Sequence, residues 1–407
     1  MSQTVKQYIL ENIDKTVRYN PVGEGTLIGL PKPYNVPSIA DHFQEMYYWD
    51  TYFLNRGLIL AGRAAQAKNN AENMFYLIER YGFMPNGNRT FYLHNTQPPF
   101  LSMMVADVFE ATGDADFLKK AWDVLEKEYA YWQTERATPT GLTQYRGNTK
   151  MAIDEGMFRG FLDRIGARPA GHTDAHLSCQ YVAQCESGWD ISPRFCFHVE
   201  DFVEVDLNSL LYACEANMAR FADVLQKTDG DAWRKRAAAR RERMTRLMQK
   251  DGVFYDYDFT NGRVSDLLTC ASFYPMLVGL LTDGQAAATA AVLPRLETPF
   301  GVAVSDAADY RSDYRYQWQY PNGWAPLHDI VARGLLRYGY KKEAVRVAEK
   351  YIALVERNFA DHGNLWEKYN VVTGAIDVTQ EHETMPPMMG WTAGVYLDLS
   401  KIVQDNA

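Results

Sequence analysis

The sequence is short of what would place it in several large protein classes. Its 407 residues include five cysteines (Cys179, Cys185, Cys196, Cys214, Cys270), an odd count with no C-x-x-C pair. That is neither a disulfide framework nor a zinc-ligand pattern. Reduced, mostly buried thiols in a cytoplasmic protein are the expectation. The charged and polar start, MSQTVKQYILENIDKTV, has no continuous apolar core of a signal peptide and points the same way. No run approaches the roughly eighteen apolar residues needed to span a bilayer. The most apolar stretch, 276–281, is far shorter, so no membrane partner is expected. A basic excess is missing too: 42 Lys and Arg against 51 Asp and Glu give a net charge of −9. A nucleic-acid partner would need a basic face to neutralise phosphates. Gly23-Glu24-Gly25 lacks the further Gly and Lys-Ser/Thr of a phosphate loop. No linker, low-complexity tract or charge block divides the chain, so residues 1–407 read as one domain.

What is present is a globular balance, 47% hydrophobic and 23% charged, with a heavy aromatic load of 26 Tyr, 19 Phe and 9 Trp. Apolar residues recur at steps of three and four over 203–225, where Val203, Leu207, Leu210, Cys214, Met218, Phe221 and Leu225 share one helical face. Short turns join further amphipathic runs in pairs: 50–61 with 64–80, 97–112 with 115–133, 264–281 with 284–293, and 329–338 with 342–359. A final helix is expected over 388–403. Strand signal is poor. Such pairs predict an all-α chain, and the absence of self-similar repeats favours a closed toroid over a solenoid.

Five segments interrupt the helical pattern and put aromatics beside polar groups. They are FQEMYYWD at 43–50, PNGNR at 85–89, ESGWD at 186–190, QWQYPNGW at 317–324 and LWEKY at 365–369. A Trp beside an acid desolvates it and offers a face to a sugar ring. Hydrolysis of a glycoside needs two carboxylates in different environments. The eight histidines show no ligand spacing; His172-Thr173-Asp174-Ala175-His176 offers at most a metal pair, and no metal is expected.

Taken in order, these segments resemble the trehalases, inverting α-glycosidases with an (α/α)6 barrel, and related glycosidases of that barrel. The resemblance runs over roughly residues 30 to 400. It rests on 43–50 and 317–324, on Pro85-Asn86-Gly87-Asn88-Arg89-Thr90 and Gln97-Pro98-Pro99, and on Ser187-Gly188-Trp189-Asp190 with Arg194. Val205-Asp206-Leu207-Asn208, Glu367-Lys368-Tyr369 and Gly390-Trp391-Thr392 complete it. It implies Asp190 as general acid and Glu367 as general base, about 6.5–9.5 Å apart in an inverting site. It implies a sugar subsite shaped by Phe43, Trp49, Asp50, Asn86, Gln97 and Gly188, with Gln317, Trp318 and Trp324 from the second signature. Five tryptophans, Trp49, Trp189, Trp318, Trp324 and Trp366, are assigned to that pocket. Acid and base suffice, so no cofactor is implied; the partner is a small sugar, with the oligomeric state open.

The departures fall where the family grips its leaving group. His42 and Asn95 stand where arginines are expected, and Gln319 replaces an acid. Arg168-Pro169 matches an Arg-Pro-Glu step, but Ala170 replaces its carboxylate. The Gly-rich lid is replaced by 379–383, leaving Glu381 or Glu383 as its carboxylate. Trehalose is the nominal substrate. Glucosylglycerate, mannosylglycerate or another small α-glucoside is the alternative, and a non-catalytic sugar-binding barrel is the reading from another class.

Overall fold

The computed structural model describes residues 3–147, 155–378 and 385–406. Among them the helices are, in chain order, α1 (Val5–Asn12), α2 (Tyr48–Leu60), α3 (Ala64–Tyr81), α4 (Leu101–Thr112) and α5 (Ala115–Thr134). Then come α6 (Glu155–Ile165), α7 (Asp174–Glu186), α8 (Val205–Leu225), α9 (Gly230–Met248) and α10 (Tyr274–Leu277). The last four are α11 (Asp283–Leu296), α12 (Ala325–Arg337), α13 (Lys341–His362) and α14 (Gly390–Asn406). Strands are two or three residues long and form only two- and three-stranded pairings. No helix among the described residues is long and apolar enough to cross a membrane.

Six of these helices touch in a cycle: α2 packs on α4, α4 on α8, α8 on α10, α10 on α12, α12 on α14, and α14 again on α2. Around them α3, α5, α9, α11 and α13 lie against the ring, and α1 packs on α13. This is the (α/α)6 barrel. Inner helices such as α8 and α12 are buried almost all round, whereas α3, α5 and α13 bury one stripe. The main core fills the space between the two rings. A smaller cluster of Phe161, Ile165, Leu177, Tyr181, Ile191, Phe197 and Tyr316 lies under α6 and α7. Those two helices belong to an excursion between α5 and α8.

The paired helices expected at 50–61, 64–80, 115–133, 203–225 and 342–359 are present within a few residues. The segment 264–281 is not the helix its apolar content suggests. Its backbone runs along 304–306, with Cys270 N donating to Val304 O and Asp306 N to Leu268 O. The Thr269 hydroxyl accepts from Ala271 N and opens a tight turn, so only the single turn α10 is left to complete the ring. Full burial, not helical periodicity, explains its composition: Leu268, Cys270, Phe273, Tyr274 and Met276 are all at 0% exposure.

The ring closes where α2 meets α14. A Cβ on Gly57 would lie 2.5 Å from Gly394 Cα, and one on Gly394 would lie 2.1 Å from Phe53 O. Backbone there touches backbone, and no side chain can yield. Gly394→Ala is therefore expected to destabilise the chain by about 1–3 kcal/mol through overpacking. Gly160→Ala, on α6 with no atom within 4 Å of its new Cβ, should be neutral or stabilising. Thermal midpoints of the two variants check this; equal midpoints would refute the tight crossing.

Candidate active site

The site gathers at the end of the barrel where inner helices begin. Helix α2 starts without a cap of its own, and Gln97 supplies one from the segment before α4. The Gln97 Oε1 accepts from the backbone N–H groups of Tyr48 and Trp49, both at 3.1 Å. These are donors that a helix start leaves unpaired. One side chain thus fixes the first turn of α2, which carries Trp49 and Asp50, and its own NH2 remains for other partners. Asn88 ties the preceding loop, accepting from Met46 N at 2.8 Å and donating to Ile28 O at 3.1 Å.

Asp190 follows α7 and sits between two buried ionic clusters. Four residues before it, Glu186 forms a bidentate pair with Arg136, both contacts at 2.8 Å, and accepts from the backbone of Thr96 and Arg146. Four residues after it, Arg194 bonds Asp206 at 2.6 Å and Asp256 at 2.6 and 2.7 Å. The same guanidinium lies 4.7 Å from the ring of Trp189. Between these anchors Gly188 turns at φ +73°, and a Cβ there would meet Trp49 Cε2 at 2.9 Å. Only glycine brings the Asp190 loop so close to α2. The Asp190 carboxylate accepts from Arg164 Nη2 at 2.5 Å, and Arg164 Nη1 donates to Tyr181 Oη at 2.8 Å.

Glu367 reaches the same space from the other side of the chain. Its strand, Lys368–Asn370, pairs with Asn322–Trp324 in the register Trp324↔Lys368, which joins the 317–324 segment to the 365–369 segment. Glu367 is paired with the fully buried Lys368 ammonium. Gln317 connects the two halves: its Nε2 donates to Asp190 Oδ2 at 3.4 Å and to Asp190 O at 3.2 Å, while its Oε1 accepts from Lys368 Nζ at 3.3 Å. Beneath them lies a stack of indoles. Trp189 and Trp318 are parallel with centroids 5.5 Å apart, Trp318 and Trp324 at 3.8 Å, and Lys368 Nζ caps the far face of the stack at 4.6 Å from Trp324.

Phe43, Trp49, Asp50, Asn86, Gln97, Gly188, Asp190, Gln317, Trp318, Trp324 and Glu367 all line one cavity of about 270 Å³. Arg168 does not. It pairs with Asp174 at 2.5 Å and donates to the carbonyls of His172 and Pro169. The arginine in the cavity is Arg164, from α6, a helix whose amphipathic face was not read from the sequence. Glu381 and Glu383 lie outside the described residues. Of the five tryptophans expected in the pocket, Trp189 forms the layer behind Trp318, and Trp366 turns toward His362 instead. Trp391, at the start of α14, takes a lining place, with Tyr47, Tyr92 and Tyr181. Asn95 lines the cavity, whereas Gln319 makes two hydrogen bonds to the Arg311 backbone.

Burial pushes the Asp50 carboxyl up to about 8, and the negative charges of Glu367 and Asp190 push the same way. Folded Asp50 therefore keeps a proton that the unfolded chain releases near 3.8. The unfolded state then binds fewer protons, so stability falls as pH rises from about 4 to about 8 and falls no further above that. Asp50→Asn removes this penalty. Its thermal midpoint relative to the parent should climb across that window and then level off. Parallel pH profiles for the two proteins would refute the assignment.

Comparison with known proteins gives the family and the fold. The trehalase family model matches residues 1–403. A periplasmic trehalase of Xanthomonas oryzae pv. oryzae (strain MAFF 311018) is 32% identical over 397 residues, covering 92% of this chain and 68% of that protein. The structure of neutral trehalase from Saccharomyces cerevisiae superposes with a TM-score of 0.77 at 28% identity, covering 98% of this chain and 80% of that one. A mannosylglycerate hydrolase from Thermus thermophilus shares the fold, with a TM-score of 0.68 at 16% identity over 97% of this chain and 99% of that one. The curated relatives are named periplasmic, which overturns the expectation of a cytoplasmic protein. That expectation leaned on the cysteines and on the polar start. All five cysteines are free in the fold, two buried and three partly so, and unpaired thiols do not by themselves require a reducing compartment. The chain belongs to the trehalase family of glycoside hydrolases.

Proposed function

We propose that this chain hydrolyses trehalose to two glucose molecules with inversion, using Asp190 as general acid and Glu367 as general base. The observation that carries the proposal is the meeting of these two carboxylates in one cavity, each held by its own cation. Glu367 is ion-paired with Lys368, and an ionised carboxylate is the form that activates water. Asp190 bonds Arg164 in the free protein. As general acid, Asp190 gives a proton to the leaving oxygen, and Arg164 beside it orients the carboxyl group.

The rest of the cavity suits a small polyhydroxylated ligand. Its volume of about 270 Å³ lies just below the usual range of ligand sites, about 300 to 1,000 Å³. Trp49 and Trp391 offer apolar surface for C–H groups, while Trp324, covered by Trp318 and Lys368, presents only an edge. Asp50, protonated at neutral pH, can donate one hydrogen bond to a hydroxyl and accept another. On the leaving-group side Arg164 supplies a cation from a different element than the resemblance implies, and Asn95 a neutral amide. Both can bond hydroxyls without demanding a charge on the second sugar.

Incubation with trehalose and with mannosylglycerate, followed by NMR, tests the reading. The expected outcome is initial release of equal β- and α-glucose from trehalose, the β-anomer marking inversion. Asp190→Asn and Glu367→Gln should each lower kcat/KM by about 10²–10⁴-fold. Full activity in either variant refutes its role, and turnover of mannosylglycerate alone refutes the substrate.

A further inference from the structure

Three histidines that lie apart in the sequence converge on the outer side of the excursion that carries Asp190. His172 precedes α7, His176 is in its first turn, and His198 comes after the Asp190 loop. Their ring centroids are 4.7, 5.1 and 5.2 Å apart, and one nitrogen from each ring falls within 4.8 Å of the others. We propose that His172, His176 and His198 form a binding site for a divalent transition-metal ion, zinc above all, that staples the start of α7 to the segment following Asp190.

The hydrogen bonds around the cluster support this. His176 Nε2 lies 2.9 Å from Phe197 O, a carbonyl that can only accept, so Nε2 carries the proton and Nδ1 keeps its lone pair. His198 Nδ1 lies 3.2 Å from the Asp201 carboxylate, so its Nε2 keeps the lone pair. A carboxylate or carbonyl behind each imidazole is the arrangement that orients metal-binding histidines. The third ring is placed by its backbone: Arg168 donates to His172 O at 2.9 Å and is itself neutralised by Asp174.

Zinc–nitrogen bonds of about 2.0–2.1 Å place tetrahedral ligands roughly 3.4 Å apart, so the rings need to close by about an ångström or a little more. All three are half-buried, and His198 and Asp201 border an open cavity of about 630 Å³, which gives an ion a way in. Three imidazoles with no thiolate suit zinc, copper or nickel and not calcium or magnesium, which prefer oxygen.

The test uses the full chain without a histidine tag, stripped with EDTA and dialysed, then titrated calorimetrically with zinc chloride and separately with calcium chloride. One zinc per chain, no calcium uptake and a thermal midpoint raised by zinc are expected. His172→Ala and His198→Ala should abolish the saturable uptake. Asp201→Asn, which leaves all three ligands in place, should weaken it by about 10–100-fold. Uptake that does not saturate at one equivalent, or that persists in both histidine variants, overturns the proposal. Both readouts are independent of sugar hydrolysis, so failure here leaves the proposed reaction standing, and failure there leaves this site standing.

Discussion

The molecule depends on one backbone-to-backbone contact, the crossing of Gly57 on α2 with Gly394 on α14. A cycle of six inner helices has to return to its start, and this is the step that brings the last helix back against the first. Because the two backbones touch, α14 begins beside the beginning of α2, and Trp391 stands against Trp49 with ring centroids 5.9 Å apart. Helix starts leave N–H groups unpaired and carry partial positive charge. Such an end suits carboxylates and hydroxyls, and Asp50, Asp190 and Glu367 are found there.

Closure alone does not aim a side chain. The Asp190 loop gets its position from Glu186 and Arg194, both charged and both buried, each satisfied by several partners. Buried ion pairs are poor sources of stability, since the cost of removing charge from water rivals the attraction gained. They do forbid alternatives: a Glu186 displaced from Arg136, or an Arg194 from Asp206 and Asp256, would leave an isolated charge in the interior. The loop is thereby fixed on both flanks, and Gly188 lets it lie flat against Trp49.

Much of this was legible in the residues. The helical pairs show as apolar stripes because their outer members bury a single face. The cavity shows because indoles and acids cluster in loops where core packing does not require them. Legibility failed where another force imitates a periodicity. Residues 268–278 are largely apolar because they are buried, and they look helical for that reason. Arg168 matched a motif step, yet the fold gives it to Asp174 and His172, and Arg164 is the arginine that reaches the cavity. Trp189, Trp366 and Trp391 could not be sorted from sequence, because neighbours along the chain can face opposite sides of a wall. Of the histidine cluster only the His172 and His176 pair was visible, because His198 is distant in sequence and adjacent only after α7 folds back.

The Gln317 side chain has two unlike ends, and its neighbours allow one orientation. An ammonium can only donate, so Lys368 meets the oxygen, and a carboxylate can only accept, so Asp190 meets the NH2. A cavity with carboxylates on both sides could in principle be read equally from either. This one amide gives it a polarity, a left and a right, before any sugar arrives.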